Sequence, residues 1–276
     1  MKFIPWSGVA LNAGRSIIAF AIFGLFMIIT HHKPKFNRWV LIGSLSVFFT
    51  NLLFAIANKM TTAANSIVLQ YTAPIFLIIL SMIFLKRRAS KLDLCACGIV
   101  FFGIVCFFVD SLGGGNIIGD AIALTSGLAY SIMFLFEDMP DGDSFSAIFW
   151  GAAMSSIIGF PAMLNQPPLG TIGLFSLLFL GVFQMGIAFL FLMTGLKWTP
   201  PITASLITAI EPILNPVLVA VFYGETMGWM SVVGAAIVIS GVLGYNILLE
   251  QRKEKAPVRE IYEKNNKIDI KGEQSQ

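Results

Sequence analysis

Nine stretches of the chain are apolar almost without a break, at about 7–30, 39–58, 63–85, 92–109, 117–136, 145–164, 169–195, 202–223 and 226–249. A helix needs roughly 20 mostly apolar residues to cross a ~30 Å hydrocarbon layer, and each run meets that length. Outer-membrane strands are ~10 residues of alternating polarity, which these continuous runs are not. The pattern therefore predicts an all-α polytopic membrane protein with nine transmembrane helices. The connections are short, so no separate soluble domain is expected between them.

Charge sharpens this picture. Of 276 residues, 57% are hydrophobic and 12% charged, about half the charge of an ordinary soluble domain. Thirteen of the charged residues fall in the last 27 positions, leaving too few elsewhere to wet a globule. A soluble enzyme, a disordered chain and a nucleic-acid binder are excluded, and the lipid bilayer is the expected surround. Lys33, Lys35 and Arg38 follow the first run, and Lys86, Arg87, Arg88 and Lys91 follow the third. Lys and Arg in short loops favour the cytoplasm. This predicts a multi-pass protein with its N-terminus outside and its C-terminus inside. Residues 250–276, with both signs of charge, read as a solvated cytoplasmic tail. Cys95, Cys97 and Cys106 lack the spacing of a metal site and read as packing residues; no metal or other cofactor is expected.

A shift of 138 positions lays the region around residues 59–84 on 197–222 without a gap. Lys59 meets Lys197, Thr61 meets Thr199, Pro74 meets Pro212, Phe84 meets Phe222 and Gly103 meets Gly241. A five-helix unit is odd, so two copies insert in opposite directions, an arrangement that recurs in secondary transporters with a midplane site. The chain divides into a first repeat at 1–110, a second at 111–249 and the tail. The helix at 117–136 would need a partner before residue 1. The first copy is thus expected to lack its opening helix, with nine spans in place of ten, and a truncated reading frame is the favoured explanation. Finding no apolar run of ~20 residues encoded in frame upstream of Met1 would overturn it.

Several motifs resemble the drug/metabolite transporter superfamily, in particular its EamA-like members. They are Thr61-Thr62-Ala63-Ala64-Asn65-Ser66 with Gln70-Tyr71-Thr72-Ala73-Pro74, then Thr199, Ala204-Ser205, Glu211-Pro212 and Gly224-Glu225. Asn12 to Arg15 with Ser16 and Ala19, Gly119-Asp120 and Ala129-Tyr130 are similar too. The resemblance covers nearly all of residues 8–249. It implies a ten-helix inverted-repeat bundle and a carrier in the plasma (inner) membrane for small metabolites, often amino acids, working by export or exchange through alternating access. Lys86-Arg87-Arg88 departs from the acidic residue the family carries after the third helix.

Glu211 is the leading candidate for a transport role, near the middle of its run. A charge there costs roughly 2.5–3.5 kcal/mol on insertion scales and normally faces a bundle interior or aqueous cavity. Ser205, Thr208, Glu211 and Asn215 share one face of a continuous helix. Glu211 could bind a substrate amine or take up a proton; a protonated side chain bonded to a neighbouring helix is the plainer account. Ser66 and Gln70 form a similar stripe. Gln70 aligns with Thr208 and Ser46 with Gln184 under the shift, as cavity residues or as interhelical glue. Tyr71, Tyr130 and Trp150 are candidate aromatic walls. Arg15 either snorkels outward or binds a substrate carboxylate. Glu225 and Thr226 suit a cap for the last helix. Ala236, Ser240 and Gly244 form a small-residue face suited to close packing, against another subunit if the protein is a homodimer.

Two rivals differ in chemistry. An intramembrane enzyme needs a nucleophile–base pair or metal cluster, yet the two histidines, His31 and His32, adjoin in a basic loop. A carrier of phosphorylated or nucleotide-sugar substrates calls for cationic cavity residues, and only Arg15, Lys59 and Lys197 are available. A truncated, non-transporting paralogue is the third possibility. Without a Walker motif, coupling to protons through Glu211 is the expected energy source.

Overall fold

The computed structural model describes residues 4–86, 89–112, 116–136, 139, 141–214, 228–249 and 251. Its helices are α1 (Gly8–Ile29), α2 (Arg38–Met60), α3 (Ala63–Gln70), α4 (Ala73–Phe84), α5 (Lys91–Phe108), α6 (Ile117–Leu135) and α7 (Ser144–Leu164). There follow α8 (Thr171–Phe179), a π-helical segment (Leu180–Ile187), α9 (Ala188–Leu196) and α10 (Pro201–Thr208), then α11 (Trp229–Leu249). Among the described residues, eight helical stretches are long and apolar enough to span a bilayer, and Pro201–Leu214 is a shorter apolar one. They begin and end within a few residues of the expected runs, except that the end of the eighth run, expected at 223, lies outside the described residues. The third run is α3 and α4 with a turn between them, and the seventh is α8 to α9 through the π segment.

The starts of these helices follow from local chemistry. The first backbone N–H groups of a helix lack intrahelical partners, and a capping side chain that accepts from them is worth about 1 kcal/mol. Ser7 Oγ accepts from Ala10 N, Asn37 Oδ1 from Val40 N, Thr62 Oγ1 from Asn65 N and Asn116 Oδ1 from Ile118 N. At α5 the cap is reciprocal: Ser90 Oγ accepts from Asp93 N at 3.1 Å, and Asp93 Oδ2 accepts from Ser90 N at 2.8 Å.

The helices pack into two apolar clusters. One joins residues of α1, α2, α4, α6, α7, α9 and α10, with Phe23, Leu77, Phe134, Ile148 and Met185 at its heart. The other joins α3, α5, α10 and α11. Helices exchange partners cleanly under the 138-residue shift: α1 falls on α7, α2 on the α8–α9 stretch, α3 on α10 and α5 on α11. Residues at the α5–α11 contact show how the copies are related. Gly103 faces Ile237 and Val238, while Gly241 faces Ile99. Ile99 and Ile237, like Gly103 and Gly241, are 138 apart. The two contacts are therefore one contact with the copies exchanged, as a two-fold axis between antiparallel helices requires.

Close approach is greatest at Gly234, where a Cβ would sit 2.6 Å from the Gly103 carbonyl oxygen and against the Phe107 backbone. Small residues at such crossings let membrane helices gain dispersion contacts that lipid would otherwise provide. By contrast Ala236 and Ser240 are exposed and nothing lies within 4 Å of a Cβ on Gly244. The expected small-residue face is thus not the one that α5 uses. Of the cysteines, Cys97 and Cys106 are buried and Cys95 is exposed, all free.

Gly234→Ala is expected to lower the melting temperature in detergent by several degrees, because the obstructing atoms are backbone. Gly244→Ala is expected to leave it unchanged or slightly raised, since helix propensity favours alanine.

Candidate functional site

Two interruptions define the site. The third run breaks at Tyr71–Thr72 and the eighth at Ala209–Ile210, and these pairs are 138 residues apart. Proline explains the position of both. It lacks an N–H and cannot bond the carbonyl four residues earlier, so Pro74 releases the carbonyl of Gln70 and Pro212 that of Thr208. In hydrocarbon a released carbonyl must be satisfied within the protein.

The two carbonyls are met differently. Tyr71, at the first break, donates its hydroxyl to the Thr208 carbonyl oxygen at 3.0 Å, so one copy's turn closes the other's. At the first break, Thr72 Oγ1 donates to the Leu69 carbonyl at 2.6 Å. The backbone of α6 comes close beside it: a Cβ on Gly127 would lie 2.8 Å from the Gln70 oxygen and 3.0 Å from that of Leu69. Gly127 therefore admits α6 to the exposed carbonyls.

Around this link stand several of the expected residues. The Tyr71 and Tyr130 rings meet edge to face with centroids 6.4 Å apart. Thr208 stands beside Tyr130 with its Oγ1 donating to the Ser205 carbonyl at 2.9 Å, and Glu211 lies within electrostatic reach of both tyrosines. Gln70 Nε2 donates to Ser126 Oγ at 3.3 Å. Glu211 itself is exposed, on the side of Ile207 and Leu214, while Ser205 is buried. The break rotates the helix between them, so the continuous Ser205–Thr208–Glu211 face expected from spacing is divided in two. Asn215, Pro216, Glu225 and Thr226 lie outside the described residues.

Other candidates sit apart from the link. Ser66 is fully buried with no partner for Oγ, and Gln184, on the π segment, buries an unpartnered Oε1. Ser46 spends its hydroxyl on the carbonyl of Gly43 in its own helix. Trp150, on α7, donates to the Lys35 carbonyl of the α1–α2 loop, where His32 pairs with Asp143 at 2.7 Å. Arg15 is 3% exposed and turned inward, which excludes snorkelling. Its Nη2 donates to Asn12 Oδ1 on α1 and to Asn51 on α2.

Sequence reading did not single out Ser126 and Gly127. Their signal was present, because Ser126 and Tyr130 are four apart on α6 and so share a face. Thr61 and Asn65 belong to one sequence motif and Asp120 to another, and the structure joins them where α3 begins: Thr61 Oγ1 donates to Asp120 Oδ1 at 2.6 Å and Asn65 Nδ2 donates to the same oxygen at 3.1 Å.

Chemically, an accessible carboxyl backed by two phenols and a threonine hydroxyl can hold a cation or exchange a proton. The helix turns that carry these groups are points where the backbone can bend. An inverted-repeat bundle with paired discontinuous helices of this kind defines a membrane transporter class. The chain belongs to the EamA-like transporter family, whose model matches residues 2–109 and 117–247. An uncharacterized transporter of Clostridium kluyveri is 23% identical over 220 residues, covering 75% of this chain and 71% of that one. One from Archaeoglobus fulgidus is 26% identical over 204 residues, covering 71% and 72%. The uncharacterized transporter YyaM of Bacillus subtilis is 22% identical over 266 residues, covering 87% and 84%. A solved crystal structure matches 88% of this chain and 89% of its own with a TM-score of 0.73 at 17% identity, which shows the shared fold. The protein is a multi-pass membrane transporter.

Tyr71→Phe removes the one donor that reaches the Thr208 carbonyl, and an unsatisfied buried acceptor costs about 1–3 kcal/mol. A clear drop in melting temperature is expected. Gly127→Ala should destabilise as well, by forcing α6 off the Gln70 carbonyl. A change of under 1 °C in both variants would show that the breaks do not depend on these contacts.

Proposed function

We propose that the protein is a secondary carrier of small metabolites, amino acids or related compounds, working by export or exchange across the plasma membrane. Its halves, at 1–110 and 111–249, rock about the paired helix breaks so that access alternates between the two sides. The N-terminus lies outside and the tail from residue 250 in the cytoplasm, with the basic loops after α1 and α4 holding that orientation. The observation that carries this reading is the Tyr71–Thr208 hydrogen bond. It joins the two breaks at repeat-related turns beside a carboxyl that membrane insertion would select against unless it served a purpose.

In this reading Glu211 holds the substrate's ammonium group or the coupling proton, Tyr71 and Tyr130 form the wall, and Thr208 and Gln70 orient the solute. Ser66 and Gln184, each with a buried unpartnered oxygen, offer the solute further polar groups away from the link, and Asn215, outside the described residues, is a candidate from its place in the sequence. The exposed Ala236–Ser240–Gly244 face offers the contact for a second copy.

Reconstituted into liposomes, the protein is expected to carry at least one labelled amino acid above the empty-liposome rate, faster with a pH gradient. Glu211→Gln is expected to abolish the response to the gradient and to cut flux at least tenfold. Unchanged flux and pH response in that variant would remove Glu211 from the mechanism. No flux for any amino acid would overturn the substrate class.

A further inference from the structure

Arg15 presents a charge that the packing leaves uncompensated. It lies seven residues into α1 from Gly8, about 10 Å along the helix at 1.5 Å per residue, and is 3% exposed. A guanidinium carries five N–H donors and stays protonated in proteins, so this site cannot neutralise itself by losing a proton. Its hydrogen bonds run from a single nitrogen, Nη2, to Asn12 Oδ1 at 3.3 Å, Asn51 O at 3.1 Å and Asn51 Oδ1 at 3.4 Å. All three acceptors are neutral amide oxygens. Among the described residues the one ion pair is His32–Asp143, at the opposite end of α1.

What remains unpartnered around the cation is informative. Arg15 Nε and Asn12 Nδ2 are both buried without an acceptor, and both are N–H donors. Thr50, beside Asn51 on α2, buries a hydroxyl without a partner; so does Ser155, one turn before Gly159, which packs on Ala13 of α1. Hydroxyls can add further donors. A purely structural arginine would be expected to spend its donors on carbonyls or a carboxylate. Here a positive charge and leftover N–H groups are held together by neighbours that offer only amides. The set complements a small anion with several acceptor lone pairs, and a guanidinium fork matches a planar carboxylate best.

We propose that Arg15, Asn12 and Asn51 form an anion subsite that takes a carboxylate of the carried solute. This rests on the carrier reading for the ligand's role, but its own content is the chemistry of one cluster in the α1–α2 interface. Three contacts cover the end of the bundle above it. Trp6 Nε1 donates to the Pro167 carbonyl at 2.9 Å, Ser7 N to Gln166 Oε1 at 3.0 Å and Lys59 Nζ to the Ile4 carbonyl at 2.8 Å. Loading the subsite from that side requires these to part.

The test is binding, measured without transport. The full chain in lipid nanodiscs is melted in sodium acetate and in sodium chloride at equal ionic strength. A ligand that binds only the folded state raises the melting temperature with concentration. Acetate is expected to raise it by a few degrees over chloride in the parent protein, and Arg15→Gln is expected to erase that difference. Asn51→Ala is expected to weaken it, and Arg15→Lys to keep part of it by retaining the charge. If Arg15→Gln does not fold, the Asn12→Ala/Asn51→Ala pair supplies the same comparison. An equal acetate response in parent and variant, or none in the parent, overturns the subsite. A melting temperature that climbs equally with the concentration of either salt in the parent, and with neither in Arg15→Gln, overturns the carboxylate assignment in favour of an inorganic anion. Because no flux is read, loss of transport in Glu211→Gln and loss of acetate binding in Arg15→Gln fail independently.

Discussion

A proline in the middle of a membrane helix sets the terms for this molecule. In water the carbonyl it releases would bond solvent; in hydrocarbon each such group must find a protein partner or cost several kcal/mol. Pro74 and Pro212 impose that demand at repeat-related positions, and the surrounding structure answers it. The Gln70 carbonyl draws the α6 backbone close through Gly127, and the Thr208 carbonyl draws the Tyr71 hydroxyl. The hydrogen bond to Thr208 and the close approach of Gly127 to the Gln70 carbonyl fix where α3, α4, α6 and α10 meet. The same contacts bring Tyr130, Thr208 and Glu211 to one place, so the candidate site is a by-product of closing the breaks.

The contact between α5 and α11 supplies the complementary constraint. Gly103 against Ile237 and Gly241 against Ile99 are one interaction repeated by symmetry, and Gly234 brings the two backbones nearer still. These helices hold the copies together through dispersion over small residues, tied at either end by Tyr245 Oη donating to Asp93 Oδ1 at 2.9 Å and Ser231 Oγ donating to the Phe107 carbonyl at 2.9 Å. Directional bonds at the breaks and the close glycine crossing of α5–α11 differ in how they respond to movement. A hydrogen bond can be exchanged for another as halves rock, whereas a glycine crossing tolerates sliding poorly. The geometry is that of a firm hinge beside a bendable centre.

How much of this was legible in the sequence depends on the range of the physics. Span positions were readable to a few residues because hydrophobic length is summed over twenty positions and no single residue decides it. The repeat was readable from Lys59/Lys197, Pro74/Pro212 and Gly103/Gly241. The prolines even located the breaks, although a continuous face through Ser205, Thr208 and Glu211 was still assumed. A turn of two residues rotates that face, and spacing rules that count 3.6 residues per turn do not register it. Arg15 was ambiguous for a different reason. Its length permits snorkelling or inward burial equally, and only the partners on α2, 36 residues away in sequence, decide. Ser126 and Gly127 went unnoticed because small residues carry no signal until a neighbour's carbonyl is placed against them.

The two copies are not equivalent at their breaks, and the difference follows from the helix that stands outside the exchange. Among residues 1–249 the 138 shift pairs every helix except α6. It is α6 that presents Gly127 to the first break, with Ser126 and Tyr130 on either side in sequence. Among the described residues no helix plays that part at the second break, where a side chain, Tyr71, donates to the Thr208 carbonyl. A backbone contact through glycine is non-directional and close, while a tyrosine hydroxyl can swing to another acceptor at the cost of a single rotamer change. Flexibility is therefore concentrated at Thr208 and Pro212, next to Glu211 and its exposed side chain. The acidic residue stands where the backbone is held least rigidly, and the buried cation, Arg15, where α1 and α2 pack around it.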